Sequence, residues 1–399
     1  MTEALMRTYA RAPVAFERGD GARLFDTEGR KYLDFAAGIA VDILGHCHPR
    51  LVAALTEQAD RLWHVSNLYE IPEQTAYAKR LVAASFGDSV FFCNSGAEAV
   101  EGALKLARKY HAKAGHPERY RTITVEGAFH GRTLATLAAA GNAKYLDGYG
   151  PPLDGFDQVA FGNLNEARAA IGAETAAILV EPVQGEGGIR PANTAYLAGL
   201  RAAADEFGLV LIFDEVQCGF GRTGRLFAHE WAGVTPDVMA VAKGIAGGFP
   251  CGAFIAKAQV AEAFAPGSHG STFGGNPLAM VVAAATLDVL EGDGFLERVN
   301  RVAEQLREGL NALARGHAEV IGEVRGMGMM LGIRLKAPHD AGEFVGRLRE
   351  AGLLTVQAAE NVIRLVPPLV IDEPEVEQAL AVLEQVLAEA EPGPDASGG

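Results

Sequence analysis

Five short apolar runs, at residues 90–93, 121–125, 176–183, 209–213 and 238–242, each stop at a glycine, polar or charged residue. Runs of that length without apolar–polar alternation read as strands buried on both faces of a parallel sheet. Between them lie apolar residues at helical spacing, such as Val100, Ala103, Leu104 and Ala107. Strand alternating with helix predicts an α/β chain with a mainly parallel, doubly wound sheet, because parallel neighbours need long crossovers that cover the sheet with helices. At 399 residues the chain exceeds one ordinary core, so a second, smaller α/β domain is expected. After Asn276-Pro277 the texture changes: residues 278–290 and 295–313 read as long helices, and 320–335 and 353–370 as strand-rich. Turn signals at Arg18-Gly19-Asp20-Gly21 and Thr27-Glu28-Gly29 predict a hairpin near the start. The expected division is therefore 1–50 and 277–390 for the smaller domain and 51–276 for the large one. Residues 391–399, all Pro, Gly, Ser, Ala and acid, read as a disordered tail.

With 35 basic and 50 acidic residues, a formal charge of −15, the chain offers no global field for nucleic acid or an anionic membrane. Any anionic ligand must be held by local groups. Residues 1–9 lack the apolar core of a secretory signal, and no apolar run is long enough to span a bilayer. Cys47, Cys93, Cys218 and Cys251 show no paired spacing, which argues against a disulfide framework or a zinc site. A soluble cytoplasmic protein without a metal is expected. His46-Cys47-His48, between Gly45 and Pro49, reads as a turn rather than a metal cluster.

In open parallel sheets ligands bind beyond the carboxyl ends of the strands, so the residues directly after each run matter most. Lys243 follows one run and precedes Gly244-Ile245-Ala246-Gly247-Gly248. Desolvation there would lower its pKa, as an imine-forming lysine requires; the plainer reading is a lysine snorkelling from a strand end. Asp214 closes another run, where a carboxylate needs a cation or strong donor such as a pyridinium N–H. The alternatives are a cap or an ion pair with Arg222 or Arg225. Val216, two residues on, would share a side with Asp214 if the chain stays extended, with Gln217 able to donate to a ring oxygen. Ser95-Gly96-Ala97 opens a helix whose free N–H groups suit a phosphate, or are merely capped by Asn94 or Ser95. Phe129 suits stacking on a ring or plain core packing, and Arg132 a carboxylate or plain solvation. Gly219-Phe220-Gly221-Arg222-Thr223-Gly224 matches GxGxxG, but Glu215 to Cys218 separate it from its strand and no clear helix follows, so nicotinamide binding is a weaker reading.

Together these residues carry a family pattern. From about Pro13 to Val370 the chain resembles the class III, fold type I aminotransferases. The motifs that carry the likeness are Gly38-Ile39-Ala40-Val41, Gly45-His46-Cys47-His48-Pro49, Asn94-Ser95-Gly96-Ala97-Glu98-Ala99 and Ala128-Phe129-His130-Gly131-Arg132-Thr133. Further on come Glu181-Pro182-Val183-Gln184-Gly185-Glu186-Gly187-Gly188, Phe213-Asp214-Glu215-Val216-Gln217-Cys218-Gly219, Gly270-Ser271-Thr272-Phe273-Gly274-Gly275-Asn276-Pro277 and Arg325-Gly326-Met327-Gly328.

The resemblance implies pyridoxal 5'-phosphate held as a Schiff base on Lys243, with Asp214 on the ring nitrogen and Gln217 on the ring hydroxyl. Phe129 and Val216 would sandwich the ring, and the backbone of Gly96 and Ala97 beside Ser95 would bind the phosphate. It also implies a homodimer in which Thr272 reaches the phosphate of the neighbouring subunit. Arg132, with Ser271 and Asn67 nearby, would hold a substrate carboxylate. Arg364 would hold the α-carboxylate of glutamate and otherwise pair with Glu186, whose plainer reading is a loop acid. The stretch Trp63-His64-Val65-Ser66-Asn67-Leu68-Tyr69 is more similar to family members acting on acetylornithine than to those acting on ornithine. The implied reaction is transfer of the terminal amino group of N-acetylornithine to 2-oxoglutarate. Ornithine, 4-aminobutyrate and lysine-pathway substrates are near alternatives, as is movement of the amino group within one substrate. An NAD-dependent oxidoreductase and a non-enzymatic binding protein are the readings from other classes.

Overall fold

The computed structural model describes residues 4–390, so the expected tail at 391–399 lies outside the described residues. Three strands, β1 (Phe16–Asp20), β2 (Arg23–Asp26) and β3 (Lys31–Asp34), form an antiparallel meander near the start. Its turns contain Gly21 at φ +54° and Gly29 at φ +80°, a conformation that costs glycine little.

The central sheet is built from β4 (Ser89–Cys93), β5 (Arg121–Val125), β6 (Phe156–Val159) and β7 (Thr175–Val180). After a short ribbon of β8 (Val183–Gln184) and β9 (Arg190–Pro191) it continues with β10 (Val210–Asp214), β11 (Val238–Val241) and β12 (Gly252–Ala256). The strand order is β4-β12-β11-β10-β7-β5-β6. From β11 to β6 all neighbours are parallel, whereas β12 runs antiparallel to both β11 and β4. This corrects the sequence reading of residues 90–93 as a strand with parallel neighbours: β4 points the same way as β11 but joins the sheet only through an unexpected antiparallel strand. The run 176–183 also ends early, at Val180, because Pro182 has no N–H to give to a ladder.

The central strands lack alternation because each face has its own core. Val238 and Ala240 pack with Ala99 and Ala103 of helix Gly96–Lys113, while Met239 and Val241 pack with Met280 and Ala283 of helix Pro277–Leu290. The latter helix starts with Pro277 in its first turn and the Asn276 side chain accepting from the Ala279 N–H. It lies against helices Pro49–Ala59 and Pro72–Ala83 and the turn after β11, so the division expected at 276–277 falls inside the packing of the large sheet. Beyond it, helices Phe295–Gly316 and Glu373–Ala388 pack on each other beside an antiparallel sheet. That sheet follows from β13 (Ile321–Met327), β14 (Met330–Leu335), β15 (Leu353–Leu354), β16 (Val356–Ala358) and β17 (Val362–Leu365), in the order β13-β14-β17-β16. β15 instead pairs parallel with β3, so the N-terminal meander and the C-terminal region share a core that includes Leu33, Phe35, Leu353 and Leu365.

Candidate active site

Beyond the carboxyl ends of β4, β10 and β11 lies a cavity of about 270 Å³. Lys243, Asp214, Val216, Gln217, Phe129, Ser95, Gly96 and Ala97 all line it. Eight residues spread over nearly 150 positions thus meet because their strand ends meet.

Lys243 begins a tight turn, Lys243–Ala246, with φ at +46°, a strained value for a side chain with a Cβ. The turn is held by packing: a Cβ on Gly244 would come within 3.0 Å of Ile43 and 3.1 Å of Phe220. Burial lowers the pKa of the Lys243 amine against the pull of the Glu186, Asp214 and Glu181 carboxylates, with Arg364 adding to the lowering.

Asp214, the last residue of β10, is almost fully buried. Its Oδ1 accepts from the Val216 N–H at 3.0 Å, so the chain turns at once rather than staying extended. Its Oδ2 lies 2.8 Å from His130 Nδ1. Neither Arg222 nor Arg225 is its partner: Arg222 is buried against the carbonyls of Met329 and Pro367, and Arg225 lies over the Trp231 ring at 4.4 Å. No role for His130 is evident from the sequence, because its link to Asp214 crosses 84 positions. Burial opposes charge on His130, yet the hydrogen bond and charge of Asp214 and the charge of Glu181 win, and its pKa is raised. Glu181, accepting from the Phe129 N–H at 2.9 Å and the Gly185 N–H at 3.3 Å, is pushed up to about 7, chiefly by burial. His130 Nε2 is buried without a hydrogen-bond partner.

At the start of helix Gly96–Lys113, Ser95 Oγ accepts from the Glu98 N–H at 3.3 Å, so the local capping reading holds for that residue. Gly96 and Ala97 occupy the first turn, where N–H groups have no intrahelical acceptor and the positive end of the helix dipole faces the cavity. A Cβ on Gly96 would lie 2.7 Å from Val216, so only glycine lets these two walls approach.

Arg364, on β17 opposite Gly332, has no exposed surface; its Nη1 donates to Glu186 Oε1 at 2.6 Å and to Gln217 Oε1 at 2.9 Å. Its Nε and Nη2 are buried without partners. Burial pushes the Glu186 carboxyl up, but the charge and hydrogen bond of Arg364, with Lys243 and Gln217, hold it below its ordinary range. Arg132 is exposed, 3.9 Å above the Tyr145 ring and 5.6 Å from Phe129. Asn67, Ser271 and Thr272 line a separate, larger surface cavity. Asn67 Nδ2 donates to the Ser271 and Gly274 carbonyls, and Asn94 Nδ2 donates to Ser271 Oγ at 3.3 Å, linking the two cavities.

The glycine-rich segment Gly219–Gly224 forms buried turns, with a Cβ on Gly221 only 2.9 Å from Leu369, and runs on to a short 3-10 turn rather than a helix. It lacks the strand-to-helix geometry of a dinucleotide site.

A family model described as Aminotransferase class-III matches residues 5–387. The chain is 59% identical over 377 residues to the acetylornithine aminotransferase of Mesorhizobium japonicum, covering 94% of each. It is 57% identical over 384 residues to that of Agrobacterium fabrum, covering 96% of each. Among solved structures, ornithine aminotransferase from Toxoplasma gondii ME49 matches with a TM-score of 0.93 at 33% identity, over 97% of this chain and 93% of that one. N-acetylornithine aminotransferase from Stenotrophomonas maltophilia K279a matches with a TM-score of 0.84 at 40% identity, over 96% and 97%. A lysine and a carboxylate at adjacent strand ends beside a helix N-terminus, in a chain alike over almost its whole length, place this protein in the class-III aminotransferase family.

Proposed function

We propose that this chain is a pyridoxal-phosphate-dependent transaminase that moves the terminal amino group of N-acetylornithine to 2-oxoglutarate, giving N-acetylglutamate 5-semialdehyde and glutamate. The observation that carries the chemistry is a desolvated lysine and a buried carboxylate facing one cavity from neighbouring strands. The substrate rests on the relatives at 59% and 57% identity.

The residues present fit the cofactor. Val216 and Phe129 both line the cavity and suit packing on a flat ring, the free N–H groups of Gly96 and Ala97 suit a phosphate, and Asp214 suits a ring N–H. When bound, pyridoxal phosphate supplies an aldehyde for the amino group and a ring that takes up the electron pair left by a departing proton. Lys243 Nζ would hold the aldehyde carbon and would carry the proton to and from the substrate carbon. Burial lowers its pKa, which favours the uncharged amine. Asp214, oriented by His130, would hold the ring nitrogen and favour its protonated form. Arg132 takes the carboxylate of the acetylated substrate, with Asn67 and Ser271 beside it. Arg364, whose Nε and Nη2 stand ready, takes the α-carboxylate of glutamate after Glu186 releases it.

We further propose a cytoplasmic homodimer with Thr272 completing the neighbouring phosphate site. The large sheet with helix Pro277–Leu290 would form the cofactor domain, and the N-terminal meander with the C-terminal sheet the smaller one. Rates with N-acetylornithine, ornithine and 4-aminobutyrate as donors to 2-oxoglutarate test the substrate. A highest kcat/KM with N-acetylornithine is expected; preference for either of the others overturns that part of the reading.

A further inference from the structure

Residues Ala37–Ala40 form a left-handed turn, with φ of +46°, +62°, +65° and +62° at Ala37, Gly38, Ile39 and Ala40. Only one of the four is glycine, and side chains with a Cβ, above all a β-branched isoleucine, resist this conformation. A run of this kind persists only where its surroundings fix it. Asp34, buried at the end of β3, does so at the entry: its Oδ1 accepts from the Ala36 and Ala37 N–H groups, both at 2.9 Å. Its other oxygen, Oδ2, accepts from His46 Nε2 at 2.7 Å, so His46 fixes the carboxylate that fixes the turn. His46 is itself held by paired backbone bonds with Gly21, and a Cβ on Gly19 would lie 2.5 Å from the His46 Cβ. At the exit, Val41 lines the Lys243 cavity, and Ala40 packs with Val362 and Val366, which bracket Arg364.

We infer that the Asp34–His46 pair is a latch that positions the strained turn, and through Val41 and Ala40 the substrate side of the cavity. This rests on the reading of the Lys243 cavity as the active site. Asp34 and His46 are positioning residues and touch no substrate. The charged groups facing His46 are Asp34, from β3, and Asp42, two residues past the turn; Gly19 of β1 adds none. The Asp34 hydrogen bond raises the His46 pKa, burial opposes it, and the Asp34 and Asp42 charges support it. The charged, stronger latch is therefore complete at low pH and weakens as pH rises through the raised His46 value.

The test compares holoenzyme of the wild type, His46→Ala and His46→Gln, with N-acetylornithine as donor across pH. In His46→Ala the KM is expected to rise on the order of tenfold, kcat to change less, and cofactor absorbance to stay. His46→Gln keeps a donor to Asp34 and should restore the KM while lacking the rise of KM with pH that is expected of the wild type. An unchanged KM in His46→Ala, or the same rise in His46→Gln, overturns the latch; if His46→Ala does not fold, the glutamine profile decides alone. Lys243→Ala separates the two readings. Full activity in that variant overturns the site and the latch with it, whereas an inactive Lys243→Ala beside an unmoved KM in the His46 variants overturns only the latch.

Discussion

A carboxylate buried as deeply as Asp214 must be compensated, and the protein compensates it with His130 on one oxygen and a backbone N–H on the other. Asp214→Asn is isosteric and keeps an acceptor for Val216, but removes the charge proposed to hold a ring proton. We expect a folded protein with turnover lowered about a hundredfold or more; an unchanged kcat would make Asp214 structural. The Glu186–Arg364 pair sets a second expectation. Glu186→Ala leaves Arg364 open to a carboxylate, favouring glutamate over N-acetylornithine by about 1–3 kcal/mol in single-turnover half-reactions. Arg132→Lys should harm mainly the N-acetylornithine half and Arg364→Lys the glutamate half, since an ammonium lacks the planar fork. Equal loss of both halves in all three variants would mean one shared carboxylate site. Lys243 and Asp214 were legible in the sequence because each directly follows an apolar run, so chain order alone puts them at strand ends. The link from His130 to Asp214 was not, since it is made only by the crossing of separate strands.

Helices with clear caps, such as Pro277–Leu290, and the fully apolar strands β10 and β11 were legible because local composition and tertiary role agree. β12 was not. It is only Gly, Ala, Phe, Ile and Ala, and glycine and alanine carry little strand preference, so its place comes from packing. The left-handed turn at Ala37–Ala40 was hidden for a similar reason, since three of its residues give no sign of positive φ. The fit of β12 under helix Gly96–Lys113 turns on Gly102, where a Cβ would lie 2.2 Å from the buried Phe254 ring. Alanine would gain helix propensity, up to about 1 kcal/mol, but must displace that ring. Overpacking should win, with Gly102→Ala destabilising by about 1–2 kcal/mol in denaturant unfolding. Greater stability would show that Phe254 has room to move.

The single chain leaves Leu68, Tyr69, Trp63 and Phe273 exposed around the cavity that holds Asn67, Ser271 and Thr272. Such a cluster suits burial against a second copy. The expected dimer makes Thr272→Ala lose cofactor more readily on dialysis while the sheet cores stay intact, and a fully active monomer at high dilution would contradict shared sites. At this scale the doubly wound sheet was legible from strand–helix alternation. The sharing of one core by the meander and the C-terminal sheet was not, because β3 and β15 lie over 300 positions apart. The most direct test of the whole account is where the cofactor is attached. Borohydride reduction of the purified holoenzyme, followed by peptide mass spectrometry, should place the pyridoxyl group on Lys243 alone, with labelling lost when N-acetylornithine is added first without 2-oxoglutarate. A label on another lysine, or no label at all, would contradict it.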